Sequence, residues 1–307
     1  TYGTSGASQV EDLDLAEDGT VVFSSPKLEA GPGSAANGSQ ACPLWAIRDD
    51  GTGRKQLSQD GLYIRRPACL PHGGLLYEVQ DAPVWRLMRA DSDGGNPRRL
   101  APGSGQTWLD VSPDGRSVLC YYKDHPHEIW AIPTDGGEAA QIVDAGFAFP
   151  DGGDPQALYS ADGSRIAYQH HQVVEGEVRM DFRIIPANGG SPIATVSPPS
   201  QAFALQWDPN GGSLTYLDHA RPTALFSQRI DGGEPVPILD FNDGEITGFS
   251  WSPDGSRVLV SRLADRTSNL WVVSREGTDP VQVTNFAMGV IPDARWARNG
   301  REIAYLY

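Results

Sequence analysis

The chain has 307 residues and a formal net charge of −15 at pH 7, because 39 acidic residues stand against 24 basic ones. Proteins that bind nucleic acid need a basic surface for the phosphates, so this charge excludes nucleic acid as a partner. No apolar run is long enough to cross a bilayer and no signal peptide is recognisable, so we expect no membrane insertion. The sequence has no long helical pattern that would indicate a separate α/β domain, so we expect a single domain over residues 1–307.

A short phrase that ends in glycine recurs along the whole chain at spacings of 42 to 54 residues. Its clearest copies are residues 111–115 (VSPDG) and 251–255 (WSPDG), and its seven glycines are Gly19, Gly73, Gly115, Gly163, Gly211, Gly255 and Gly300. Proline presets φ, aspartate caps the turn and glycine takes a positive φ, so each copy predicts a hairpin turn. Such a period predicts an all-β propeller of four-stranded antiparallel blades, most simply seven blades, with six as the alternative.

In chain order, each repeat predicts four strands, here called A to D. Strand A ends at the turn, and β-branched and aromatic runs follow it as strand B at residues 117–121, 165–168, 213–216, 257–260 and 302–305. Strand C is predicted at residues 44–47, 84–87, 129–132, 182–185, 225–228 and 270–273. A glycine-rich turn then leads to strand D, which is visible at residues 99–100, 141–143 and 281–284.

Seven of the eight tryptophans occupy two fixed registers of this pattern. Strand C carries Trp45, Trp85, Trp130 and Trp271, and strand A carries Trp207, Trp251 and Trp296. Large flat side chains at a fixed register fill the space between neighbouring blades, so we expect both sets in the core. Trp108 alone lies outside the two registers.

The last repeat supplies only a strand A and a strand B. An open propeller would expose unpaired strand edges. We therefore expect the N-terminal segment Thr1–Val10 to pair beside Ile303–Tyr307, so that the two ends of the chain close the ring together.

The three cysteines form no CxxC pair and no zinc-binding spacing. Cys69 and Cys120 lie in predicted strands, where we expect them to be small buried side chains. Cys42 lies just ahead of a predicted strand, and the sequence does not decide whether Cys42 and Cys69 form a disulfide.

The W-S-P-D-G phrase, the hydrophobic-Trp arm downstream of it and the acidic-Gly-Gly turn together resemble the WD40-like (PD40) repeat of TolB-type propellers. The closing residues 281–305 resemble the end of propellers attached to bacterial Ser/Thr kinases. The resemblance implies a non-enzymatic binding, scaffold or sensor role, with a protein, peptide or small-ligand partner and a periplasmic or extracytoplasmic location. It also implies a kinase or regulator domain attached in the full-length protein. TolB itself usually has six repeats, whereas this chain has seven.

Polar residues alternate with the packed register of strand A. They are Asp14, Asp110, Gln206, Ser250 and Arg295, beside the apolar Ala68 and Leu158. Strand A is the innermost strand of a blade, so these side chains are candidates to line the central funnel and to bind a small ligand or a peptide end. A lining that is only solvated by water is the alternative.

Five of the six histidines fall between a strand B and a strand C, namely His125, His127, His170, His171 and His219. All B–C connections emerge on one face, so we consider a divalent metal ion bound there by imidazoles beside acidic residues. The alternative is that polar loops simply carry histidines. Oligogalacturonate lyase, a propeller of related type, implies a metal-assisted polysaccharide lyase or hydrolase as the second functional hypothesis. The sequence has no G-x-S-x-G, H-E-x-x-H, P-loop or G-x-G-x-x-G motif.

Overall fold

The structure is a computed structural model that describes residues 12–25, 41–81, 84–101, 105–144, 155–297 and 299–307. Its first three blades comprise β1 (Asp12–Leu15), β2 (Val21–Ser24), β3 (Leu44–Ile47), β4 (Lys55–Gln56), β5 (Ile64–Cys69), β6 (Leu75–Asp81), β7 (Val84–Ala90), β8 (Arg98–Arg99), β9 (Gln106–Val111), β10 (Ser117–Tyr122), β11 (His125–Pro133) and β12 (Ala140–Asp144). The next three comprise β13 (Ala157–Tyr159), β14 (Arg165–Val174), β15 (Glu177–Pro186), β16 (Ala194–Val196), β17 (Ala202–Trp207), β18 (Ser213–Asp218), β19 (Ala224–Arg229), β20 (Val236–Asp240), β21 (Glu245–Trp251), β22 (Arg257–Ala264), β23 (Thr267–Ser274) and β24 (Val281–Gln282). A last sheet contains β25 (Ala294–Trp296) and β26 (Ile303–Tyr305).

Within these residues the strands form six four-stranded sheets, each an antiparallel meander of four consecutive strands, and one two-stranded sheet. The all-β class and the four-stranded blades are thus as predicted. Six complete blades are present, which is the count held as the alternative to seven, because the seventh repeat contributes only β25 and β26. The predicted closure by Thr1–Val10 lies outside the described residues.

The repeated phrase forms the hairpin turn between the first two strands of a blade. In blade 3 the Gly115 amide donates to the Ser112 carbonyl at 2.7 Å, and the Asp114 carboxylate accepts from the Arg116 amide at 3.0 Å. Gly115 has a φ of +67°, a left-handed conformation that glycine adopts without steric cost. The hairpin turn predicted from the sequence, with an aspartate cap and a glycine at positive φ, is therefore confirmed in this blade.

Among the described residues the core consists of seven apolar clusters, and each cluster lies between two consecutive sheets. Blade 1 packs on blade 2 around Leu44 and Ile64, and the pattern continues around the ring in this way. The sheet of β25 and β26 contacts blade 6 through Trp296 and blade 1 through Leu306, so it lies between the last and first complete blades. The blades therefore surround a central channel that is walled by the first strand of each sheet.

The two tryptophan registers differ in burial. The strand A set, Trp207, Trp251 and Trp296, retains only 6–9% exposure, as expected for core residues. The strand C set is only partly buried, which corrects the prediction for Trp45, Trp85, Trp130 and Trp271. Guanidinium groups cover three of these rings, as Arg54 does at 4.4 Å from the Trp45 ring centroid.

All three cysteines are buried thiols, and no disulfide joins Cys42 to Cys69. Burial raises the pKa of Cys120 to about 12, so this thiol is unreactive at neutral pH. Cys69 and Cys120 therefore behave as the small buried side chains that the sequence predicts. Within the described residues no helix offers the length and apolar character that a membrane span requires.

Candidate functional site

The five polar residues proposed for the channel all lie on the innermost strand of their sheet. Asp14 is on β1, Asp110 on β9, Gln206 on β17, Ser250 on β21 and Arg295 on β25. Each of the five occupies the position just before the last residue of its strand. Ala68 on β5 and Leu158 on β13 occupy the same position in the two remaining inner strands. The repeat therefore places seven equivalent side chains around one level of the channel.

Three of these residues fasten one inner strand to the next. The Asp14 carboxylate accepts from the Cys69 amide at 2.8 Å, and the Gln206 amide donates to the Phe249 carbonyl at 2.7 Å. Arg295 lies 3.7 Å from Asp14 across the junction between the last sheet and blade 1. These polar groups consequently hold the ring together as well as facing the channel.

Asp110 makes the same kind of contact and is also chemically distinct. Its Oδ2 accepts from the Tyr159 amide of the next blade at 2.7 Å. Burial raises the pKa of Asp110 to about 7, and the hydrogen bonds from the Tyr159 and Val111 amides oppose that shift only in part. The channel wall thus contains a carboxyl group that exchanges its proton near neutral pH.

A cavity of about 690 Å³ adjoins Asp110 and Gln206 inside the channel. Inner strands of blades 3 to 6 form most of its wall, and the turn residues Ala161, Pro209 and Pro253 lie at one end. Its polar residues include Asp110, Gln206, Gln156, Ser252 and Arg66 of blade 2, amid apolar residues such as leucines and tryptophans. A concave, mainly apolar space of this size with a few convergent polar groups is typical of small-ligand sites.

Arg66 belongs to a buried ionic cluster that the sequence analysis missed. The fully buried Glu78 accepts a hydrogen bond from Arg65 Nε at 2.7 Å and lies 3.8 Å from Arg66 Nη1. Its second oxygen accepts from the Trp108 amide at 3.0 Å, and the Trp108 indole donates to the Arg66 carbonyl at 3.1 Å. The Asp12 carboxylate accepts from the Arg66 amide at 2.9 Å, so two basic and two acidic side chains meet beside the cavity.

Register shifts in β5, β9 and β17 shape the wall of the same cavity, and those in β5 and β17 contain residues with a positive φ. The register of β5 shifts between Arg65 and Ala68, and that of β17 shifts between Phe203 and Gln206. Within them Arg66 and Ala204 have φ values of +52° and +51°, which side chains adopt at a steric cost. Both residues line the cavity. The bulges could not be predicted from the repeated phrase.

The five histidines proposed for the metal do not form one group. His125 and His127 lie on β11, and their ligand atoms and those of Glu128 are all within 4.8 Å of one another. His219 follows β18 and is exposed, with its ring stacked on Phe203 at a centroid distance of 4.2 Å. The structure therefore brings together two of the five histidines, with a glutamate as the third member.

His170 and His171 are buried in the ladder between β14 and β15 rather than in a loop. His170 Nδ1 lies 3.4 Å from Asp181 Oδ1, and Arg183 contacts the same carboxylate. Burial, with the nearby Arg183, lowers the pKa of His170 despite Asp181, so the imidazole is neutral at pH 7. Neither His170 nor His171 belongs to the group of His125, His127 and Glu128.

With this geometry in hand, comparisons with known proteins give the fold class. No protein-family model matches the chain. It is 27% identical to the uncharacterized protein Atu1656 of Agrobacterium fabrum over 211 residues. This aligned segment covers 62% of this chain and 67% of that protein. TolB from Acinetobacter baumannii superposes with a TM-score of 0.56 at 14% identity, over 96% of this chain and 81% of TolB. A prolyl endopeptidase superposes with a TM-score of 0.66 at 13% identity, over 95% of this chain but 45% of the enzyme.

The blades and the channel thus define a β-propeller, and this is the fold that the chain shares with TolB. The similarity to solved structures concerns the fold. The channel cavity and the His125, His127 and Glu128 group are features of this chain's own residues.

Proposed function

We propose that the protein is a non-enzymatic binding propeller that takes a small ligand, or a peptide end of a protein partner, in its central channel. The cavity beside Asp110 carries this proposal. Its apolar wall offers desolvation, and Arg66, Asp110 and Gln206 offer a cation, a proton-exchanging carboxyl and an amide for orientation. A compound with a carboxylate or amide at one end and an apolar body matches these groups.

A large side chain at the end of the cavity tests this proposal. Ala161 lines the cavity and is exposed in its hairpin turn, so Ala161→Trp obstructs the channel without disturbing the core. Glu17→Trp is the matched control, because Glu17 occupies the equivalent turn of blade 1 and does not line the cavity. In a ligand-observed NMR screen of small carboxylates and amides, we expect hits to bind wild type and Glu17→Trp and to lose binding in Ala161→Trp. Hits that bind all three proteins equally would refute a channel site.

An accessory role within a larger protein is a second candidate. The prolyl endopeptidase aligns with this chain over 45% of its own length, so a propeller of this fold occurs there as part of a larger enzyme. By resemblance of its closing repeat, we propose a kinase or regulator domain as the attached unit and an extracytoplasmic location for the propeller. Expression of the full-length gene product, with mass determination and fractionation of the cell, tests both points.

The metal-assisted lyase or hydrolase remains the alternative activity. It depends on the group of His125, His127 and Glu128, whose ligand atoms are close enough to one another to bind one metal ion. Release of unsaturated or reducing sugars from polysaccharides, assayed with and without a chelator, distinguishes this activity from binding alone.

A further inference from the structure

Three potential metal ligands converge at the outer end of one hairpin of blade 3. The ligand atoms of His125, His127 and Glu128 lie within 4.8 Å of one another. None of the three lines the channel cavity, so this group is separate from the proposed ligand site. It requires an explanation of its own.

A large bulge in β11 creates this convergence. Tyr122 pairs with His125 and Cys120 pairs with Trp130, so residues 126–129 of β11 lie opposite Tyr121 alone. Regular alternation would send the neighbours His127 and Glu128 to opposite faces of the strand. The bulge breaks that alternation, as bulges near binding sites commonly do when they re-aim side chains. The hairpin backbone thereby brings two adjacent residues to the same side as His125.

The surroundings of the group suit an ion that arrives from solvent. His125 is exposed, and His127 and Glu128 are half-buried, so the ligands are accessible yet supported by the sheet. Glu128 Oε2 accepts from the Trp130 indole at 3.2 Å, and this contact orients the carboxylate and leaves its other oxygen for a ligand. Such a second contact is typical of carboxylates that bind metals.

We infer that His125, His127 and Glu128 form a site for a divalent transition-metal ion, and that Zn²⁺ is the ion that fits best. Two imidazoles and one carboxylate are a donor set that zinc accepts, and three protein ligands leave one coordination position for water or an incoming group. Tetrahedral zinc with bonds of about 2.0–2.1 Å places its ligands about 3.3 Å apart, which small rotamer changes reach from the present separation. The remaining candidate histidines take no part, because His170 and His171 are buried in β14 and His219 stacks on Phe203.

Calorimetric titration of ZnCl₂ into protein without a polyhistidine tag tests the site. We expect one zinc ion per chain, and at least tenfold weaker binding in His125→Ala, His127→Ala and Glu128→Gln. Glu128→Gln keeps an acceptor for Trp130, so it serves where an alanine variant fails to fold. His219→Ala is the matched control, since it removes a histidine from the same face and should leave zinc affinity unchanged.

Two further readouts separate coordination from non-specific uptake. Zinc should raise the melting temperature of wild type and His219→Ala but not of the His125→Ala/His127→Ala double variant. Cobalt(II) added to wild type should give the visible absorption of a four- or five-coordinate site, and the double variant should abolish it. Absence of stoichiometric zinc binding to wild type, or equal binding by the double variant, would overturn the assignment.

Discussion

Asp110 combines a position in the channel wall with a proton that it retains to unusually high pH. Burial raises the pKa of Asp110 from 3.8 to about 7. Between these values the unfolded chain has lost this proton while the folded protein still holds it, so the contribution of Asp110 to stability falls as pH rises from about 4 to 7 and is constant above that range. Asp110→Asn keeps an acceptor for the Tyr159 amide but carries no charge. We expect this variant to gain stability over wild type with rising pH, by on the order of a few kcal/mol at pH 8.

Urea denaturation of both proteins at pH 4, 6 and 8 measures this difference. Asp162 is a control of opposite sign, because hydrogen bonds from Ser160 and Ser164 lower the pKa of its carboxyl to about 2. Asp162→Asn should therefore lose stability relative to wild type above pH 4, and that loss should shrink as the pH falls toward 2. A difference between Asp110→Asn and wild type that does not change with pH would contradict the raised pKa.

The two tryptophan registers predict unequal losses on truncation. Trp251 is 9% exposed, and its indole donates to Thr215 Oγ1 at 3.3 Å within the core between blades 5 and 6. Trp251→Ala should cost about 3–5 kcal/mol of unfolding free energy. Trp271 is partly exposed and contacts Phe241 at a centroid distance of 5.3 Å, so Trp271→Ala should cost about 1–2 kcal/mol. Equal losses in guanidinium titrations would show that burial does not separate the registers.

At the scale of single elements, the bulge in β17 contains a strained backbone conformation, and a substitution that relieves the strain should raise the free energy of unfolding. Ala204 has a φ of +51°, where an L-residue is disfavoured and glycine is not. Ala204→Gly should therefore stabilise the protein by up to about 1 kcal/mol. Ala202→Gly, two residues earlier on the same strand, is the matched control. Ala202 is 2% exposed in the core and lacks a positive φ, so its substitution should destabilise by about 0.5–1 kcal/mol. Thermal denaturation in which the two variants shift in the same direction would contradict the bulge argument.

The strands and turns could be predicted from the sequence because the signals are local and repeated. A turn that closes on glycine, as at Gly115, recurs in each blade, and strand residues follow it at a fixed interval, so the inner register that contains Asp14 and Gln206 could be predicted directly. The bulge at Arg66 could not be predicted, because it depends on pairing with β6 and on the burial of Glu78 between neighbouring blades.

The histidines show the same limit. The sequence placed five of them in connections between strands, but β14 continues to Val174 and takes His170 and His171 into its ladder. Strand length is set by pairing with β15, which is not a local property of the sequence. His125 and His127 come together with Glu128 only because four residues of β11 face one residue of β10. Residue type therefore suggested which residues to consider as metal ligands, and strand pairing decided which of them lie together.

At the scale of the whole molecule, the ring depends on the contact between its first and last sheets. Leu306 is 7% exposed and packs with Leu13, Leu15 and Phe23 of blade 1. The same junction carries the contact between Arg295 and Asp14. Sequence separation across this junction is nearly the whole chain, so it closes a much longer loop than the junctions between consecutive blades.

Leu306→Ala tests whether that junction is part of the cooperative fold. If the ring unfolds as one unit, removal of this side chain should cost about 2–5 kcal/mol of global stability, as a buried leucine does elsewhere in a core. Val290→Ala is the control, because Val290 is 53% exposed and should change stability by no more than about 0.5 kcal/mol. Urea denaturation followed by both tryptophan fluorescence and far-UV circular dichroism measures the loss and its cooperativity. Should Leu306→Ala leave the main transition unchanged and add only a small early one, the last sheet would unfold on its own, and the ring would be held by its six complete blades.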